Sequence, residues 1–202
     1  GDVVTLSFTV DDTLLGSPTV TIDGNPATIS GTNPNYTASY TMQAGDTEAS
    51  LGFTIDFDDA AGNSAIQLTT VTDGTTVTFD ETAPTSNPVT IYSNNPNSAI
   101  AKVGDTVTLS FTVDEPLLGS PTVTIDGNAT TLGGTHPSYT ADYTLVGGET
   151  EGSLAFTLDF TDAVGNPGIQ VTAVSDASSV TFDETAPTST PRSIYSNNAN
   201  LA

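Results

Sequence analysis

The chain has 202 residues, with 24 Asp and Glu against two Lys and Arg, and a net charge of −22 at pH 7. Such a surface excludes nucleic acid and anionic membranes as natural partners. It contains no cysteine, so neither a disulfide framework nor thiol catalysis is available, and no apolar run approaches the roughly 20 residues of a membrane span.

The chain opens on "GDVVTLSFTV", where Val4, Leu6, Phe8 and Val10 alternate with polar neighbours. That is the period of a half-buried strand, so a mature product or an internal piece is expected here, not a signal peptide. "PTVTID" follows with Val20 and Ile22, then "YTASYTM" with Tyr36, Ala38, Tyr40 and Met42, then "SLGFTIDF" with Leu51, Phe53, Ile55 and Phe57. "IQLTTV" and "TTVTFD" complete the set, and Gly, Asp, Asn and Pro punctuate the turns. Abundant Thr fits strands with one solvated face.

The pattern then repeats. "GDTVTLSFTV" begins at Gly104 and "SVTFDETAPTS" at Ser179, each 103 positions after its first occurrence. Residues 1–99 align with 104–202 without a gap, and 67 of the 99 positions are identical. A period near 100 residues is a whole domain, not a solenoid turn. A further strand, "PVTIYS" at 88–93, precedes the second copy. The expected strands A to G of that copy are 88–93, 104–113, 121–126, 138–145, 152–160, 169–174 and 179–183. The reading is all-β, without helices: two tandem immunoglobulin-like β-sandwich domains of about seven strands each. The expected division is 1–84 for the first repeat, 85–187 for the second, and 188–202 as the strand A of a following repeat. "DETAPTS", at 80–86 and again at 183–189, reads as a short, stiff connection.

"GDTVTLSFTV", "PTVTIDG", "YTADYTL", "ETEGSLAFTLDFTDAVGN" and "VTFDETAPT" resemble the bacterial Ig-like repeats of large secreted surface proteins and adhesins. The resemblance covers essentially the whole chain. It implies an extracellular spacer, often with calcium between domains.

The carboxylates lack cations to pair with, since Lys102 and Arg192 stand alone. Two carboxylates about 5 Å apart repel by roughly 3 kcal/mol at an effective dielectric near 20. Bound divalent ions or a saline environment would relieve this. "DFDDAAGN" concentrates Asp56, Asp58, Asp59 and Asn63, and Gly62 allows the tight backbone. If strands simply alternate up and down, this E–F loop shares a pole with Asp80 and Glu81 at the end of strand G. The B–C loop of the next domain, with Asp114 and Glu115, then faces them. Calcium takes six to eight oxygens, and these residues are the expected ligands. The second copy offers Asp159, Asp162, Asn166, Asp183 and Glu184, with Thr161 in place of Asp58, and Asp11 and Asp12 stand for the B–C loop of a following copy. The alternative for any one Asp is that it caps backbone N–H groups in a turn.

One histidine, His136, supports no transition-metal site or Ser/His/Asp triad, and the paired carboxylates lack a pocket wall for acid–base work, so no enzyme is expected. The alternating tyrosines Tyr36, Tyr40, Tyr139 and Tyr143 read as core or cross-strand pairs before they read as a sugar platform. Asn35 and Asn128 open weak glycosylation sequons. The segment "RSIYSNNANLA", 192–202, matches strand A at 89–99, while the first copy begins at strand B. Either the boundary falls within a longer array, or Ile194, Tyr195 and Ser196 complete the open edge of a neighbouring chain and build a head-to-tail filament. The expected partners are thus neighbouring copies of the repeat, in cis or in trans. Three readings follow: an extracellular stalk stiffened by calcium, a self-assembling filament subunit, and a carbohydrate-binding module.

Overall fold

The computed structural model describes residues 1–195 and 197. Its described residues form strands, turns and loops without a helix, in two compact units, Gly1–Thr82 and Ala83–Ala202. Both are immunoglobulin-like β-sandwiches.

In the first unit, β1 (Val3–Thr9), β5 (Asn35–Thr41) and β4 (Thr28–Thr32) form one antiparallel sheet in the order β1-β5-β4. β2 (Thr19–Ile22), β3 (Asn25–Pro26) and β7 (Phe53–Asp56) form a second, in the order β3-β2-β7, and β6 (Ala49–Ser50) pairs with β8 (Thr78–Phe79). β2 and β3 turn on Asp23-Gly24, both at positive φ, which a two-residue hairpin requires. Val20, Ala38 and Ile55 are the buried centre, with Leu6, Phe8, Ile29, Phe53 and Phe57 half-buried around it.

The second unit repeats this plan and adds to it. β9 (Ser86–Ser93), β10 (Ile100–Ala101), β11 (Thr106–Val113), β12 (Thr122–Ile125) and β13 (Asn128–Ala129) are followed by β14 (Thr131–Thr135) and β15 (Ser138–Thr144). β16 (Gly152–Ser153), β17 (Phe156–Asp159) and β18 (Thr181–Phe182) complete it. Its main sheet has four strands, β14-β15-β11-β9, against β13-β12-β17 and a small β10-β18-β16 edge. Along β11, Val107, Leu109, Phe111 and Val113 are all buried, because β9 covers their outer side. The core runs to 17 buried side chains. Of the four tyrosines expected as core or cross-strand pairs, Tyr36 stacks on Phe8 and Tyr139 on Phe111, at 5.6 and 5.5 Å, whereas Tyr40 and Tyr143 lie opposite Val4 and Val107 and bond acids.

Two expectations about strands are corrected. β14, "TLGGT", is a strand between the expected C and D, hidden because its glycines interrupt the apolar alternation. The expected strand at 169–174 is not a strand; Val171 forms only an isolated bridge with Leu158. The additional strand reverses the expected direction of the strands that follow it as far as β17, and the loss of the strand expected at 169–174 restores that of β18, so the loops before and after β17 change poles while the end of β18 does not.

Candidate functional site

The loop after β11 and the loop after β17 lie side by side within the second unit. Leu117 bridges Asp162, the Leu118 N–H donates to the Thr161 carbonyl, and the Ala163 N–H donates to the Pro116 carbonyl. Asp114 closes the same end: its carboxylate accepts from the Thr85 N–H at 2.7 Å and the Thr85 hydroxyl at 2.6 Å. A carboxylate oxygen of Glu115 and one of Asp162 come within 4.8 Å of one another. Asp159, which accepts from the Gln170 amide, and Asn166 also belong to this end.

Asp183 and Glu184 belong to the opposite end. The Gly148 N–H donates to Glu184, the Glu184 N–H donates to Glu151, and the Asp183 N–H donates to the Ala101 carbonyl. The first unit follows suit. Asp11 and Asp12 flank the loop of Asp56, Asp58, Asp59 and Asn63, where Leu14 bridges Asp59 and the Leu15 N–H reaches the Asp58 carbonyl. Glu81 sits at the other end, accepting from the Gly45 N–H while its own N–H donates to Glu48. Asp80 accepts from the Thr82 N–H. The expectation that 56–63 and 80–81 share a pole is therefore corrected. In each unit the acidic loop after strand E faces its own B–C loop. Separating the two ends is the length of the central strand, roughly 27 Å for the eight residues of β11 at about 3.4 Å each.

Asp59 and Asp162 do the same local work in their copies. The Val164, Gly165 and Asn166 N–H groups all donate to Asp162 Oδ1, and the Asn166 side-chain amide donates to Oδ2. Asp162 is 1% exposed. Burial pushes its pKa up, but the donors from Asn166, Gly165 and Val164 outweigh burial and hold it below its usual value. Asp59 accepts from the N–H groups of Ala61 and Asn63 and from the Asn63 amide, and these bonds also lower its pKa. Such bonds close a loop around one carboxylate. Lys102 lies 3.9 Å from Asp105, a weak ion pair.

At the other end a carboxylate brace recurs in both copies. Glu48 accepts from the Thr82 hydroxyl and the Glu81 N–H, and Glu151 accepts from the Thr185 hydroxyl and the Glu184 N–H. Each is held below the ordinary glutamate range by those donors, the threonine hydroxyl first. The Tyr143 hydroxyl bonds Glu149, which raises its pKa to about 12. These braces escaped the sequence reading, although Thr82 and Thr185 recur at the same offset as Glu48 and Glu151.

A second feature lies on the first unit. Grooves of about 320 and 770 Å³ open beside β1, lined among others by Val4, Leu6, Phe8, Phe53, Val71 and Val77. Val77 is 49% exposed, whereas its counterpart Val180 is 0% exposed. Of the expected edge-completing residues, Ile194 is 100% and Tyr195 89% exposed in a coil, and Ser196 lies outside the described residues.

These features define a tandem of immunoglobulin-like sandwich modules. Neither a family model nor a curated protein matches the chain. Among solved structures, a chimeric titin Z1Z2-Z1Z2 tandem carrying a GRGDS peptide from fibronectin is similar over 92% of each chain, at 17% identity and a TM-score of 0.32. A Bacteroides ovatus mixed-linkage glucan utilisation locus protein, SGBP-B, in complex with a mixed-linkage heptasaccharide, is similar over 90% of this chain and 42% of that one, at 16% identity and a TM-score of 0.25. Among the described residues, no helix is long and apolar enough to cross a membrane.

Proposed function

We propose that the chain is a structural module of an extracellular stalk or fibre, of the kind found in large bacterial surface adhesins, with calcium stiffening the joints between modules. The observation that carries this reading is the duplication itself. The two sequence copies, identical at 67 of 99 aligned positions, repeat their loop-closing Asp, their carboxylate–threonine brace and their Tyr–acid contact at the same offset. A dedicated binding or catalytic site would diverge or stay on one copy. What is kept in both copies is loop and end geometry, as a spacer needs.

Calcium enters through charge. Acidic side chains gather on loops at the ends of each unit, and two cations cannot balance 24 carboxylates. Glu115 and Asp162 present carboxylate oxygens close enough to share one hard cation, and loop carbonyls and water are the remaining oxygens such an ion takes. Asp80, Glu81 and Asp114 are further candidate donors on the end loops. When bound, calcium would supply cross-linking and charge neutralisation, without chemistry on a substrate. The chain is accordingly read as a non-enzyme outside the cell.

Thermal melting with calcium and with EDTA is the test. Binding to the folded form alone raises stability by RT ln(1 + [L]/Kd), about 2.7 kcal/mol at a hundredfold excess over Kd. The gain should shrink in Glu115→Gln. Identical melting curves in calcium, magnesium and EDTA would remove the metal and leave the acidity to a saline habitat.

A further inference from the structure

The second unit shows what a complete module looks like, and the first differs from it by one strand. In the second unit β9 runs antiparallel to β11, with Ser93 opposite Val107, Tyr92 opposite Thr108, Ile91 opposite Leu109, Thr90 opposite Ser110 and Val89 opposite Phe111. Val89 and Ile91 are buried there. The same strand is tied on its other side by hydroxyls and an acid. The Val89 N–H donates to Ser175 Oγ, the Ile91 N–H donates to Ser178 Oγ, and the Thr90 hydroxyl donates to Asp176.

Every element of that receptor exists in the first unit. Leu6 and Phe8 stand for Leu109 and Phe111, while Thr72, Asp73 and Thr75 stand for Ser175, Asp176 and Ser178. Among the described residues, no strand lies along the outer edge of β1. The two grooves open where β9 sits in the second unit, and they expose Val77 and half-expose Leu6, Phe8 and Phe53. The matching strand is also present in the chain. Ser189–Tyr195 aligns with Ser86–Tyr92, keeping Ser189, Pro191, Ile194 and Tyr195, and it leaves Ile194 and Tyr195 in solvent.

We propose that Ser189–Tyr195 of a second copy of this chain adds to the edge of β1 as its fourth strand. The strand is antiparallel, with Tyr195 opposite Thr5, Ile194 opposite Leu6, Ser193 opposite Ser7 and Arg192 opposite Phe8. Ile194 fills the place of Ile91 between the sheets, the Ser193 hydroxyl meets Asp73, and Thr72 and Thr75 bond the backbone. One position departs from the pattern, Arg192 for Val89. Its stem covers apolar surface beside Phe8 while the guanidinium reaches outward. The receiving unit holds 12 Asp and Glu and no Lys or Arg, so the chain's only arginine arrives as the one basic side chain beside them. Because the donor segment and acceptor edge are different surfaces, the contact is heterologous and propagates head to tail. The inference rests on the module reading above but not on calcium.

The test uses the full chain, in EDTA and in calcium separately. Light scattering should show a weight-average mass that at least doubles between about 10 µM and about 500 µM, as mass action demands. Electron microscopy should then show linear particles. Ile194→Asp changes a side chain that lies in a solvent-exposed coil, so both units fold, and it should hold the chain monomeric. An added peptide of sequence "PTSTPRSIYSNNANLA" should cap the edge and shorten the multimers. A monomer at every concentration overturns the proposal, including one in which the chain closes on its own edge, and so do multimers that persist in Ile194→Asp. Assembly in EDTA with unchanged melting would sink the calcium reading alone.

Discussion

At the residue scale, the carboxylates divide by the number of donors they hold. Asp162 is the extreme case: three backbone N–H groups and one side-chain amide point at a buried carboxylate. Asp162→Asn keeps an acceptor for the N–H groups but sets one amide against another at Asn166. That should destabilise the second unit by about 1–2 kcal/mol near neutral pH, the scale of a lost charge-assisted bond. The sign with pH follows from the depressed pKa. The folded form holds its proton less tightly than the unfolded form, whose value is near 3.8. Stability from this group is thus fully present above that value and is lost as pH falls through the lowered one. Melting temperature measured from about pH 7 to about pH 2.5 should show the gap between parent and variant closing only below about pH 4. A gap that stays constant to the lowest pH would mean that charge at Asp162 contributes nothing.

At the element scale, duplication supplies an internal control, because the same residue type occupies the same place with and without a covering strand. Leu109 is 0% exposed beneath β9, and Leu6 is only half-buried on β1. Leu109→Ala should cost about 3–4 kcal/mol, because it removes buried methyls and leaves a cavity. Leu6→Ala should cost less than half as much in dilute solution, since water already reaches the site. Chemical denaturation of the two variants checks this, and equal losses would mean that β9 does not determine the burial of the central strand. The same comparison shows what could be read from sequence. Strands with clean alternation, such as "TVTLSFT", were legible because one face must be apolar. β14 was not, since Gly133 and Gly134 replace the apolar positions and Gly134 adopts φ +86 against the Ser138 carbonyl in a tight hairpin. Without it the strand count inverts as far as β17, so the loops before and after β17 fall at the wrong end, while the end of β18 keeps its expected place. The acidic residues themselves were legible, but their partners across a unit, such as Glu48 with Thr82, depend on topology that periodicity does not encode.

At the scale of the whole molecule, the two units should not melt together. The second has a core of 17 buried side chains closed by β9 and β10, while the first buries six, Val10, Val20, Ile22, Ala38, Met42 and Ile55, and leaves Val77 and Leu68 49% and 44% exposed. Apolar burial contributes about 25 cal/mol per Å², so the unit with the open edge has less to set against chain entropy. Calorimetry of a dilute sample should resolve two transitions, the lower belonging to the first unit. Hydrogen exchange should show β1 and β5 opening before β11 and β15. Charge acts on both: with −22 spread over the chain, raising salt toward about 1 M contracts the screening length to about 3 Å and should raise both midpoints. Concentration acts on one. If a second copy's strand occupies the first unit, mass action raises the lower midpoint with protein concentration and leaves the upper one fixed. A single concentration-independent transition would mean that β1 is stable without a fourth strand, and that the exposed grooves hold no unmet need.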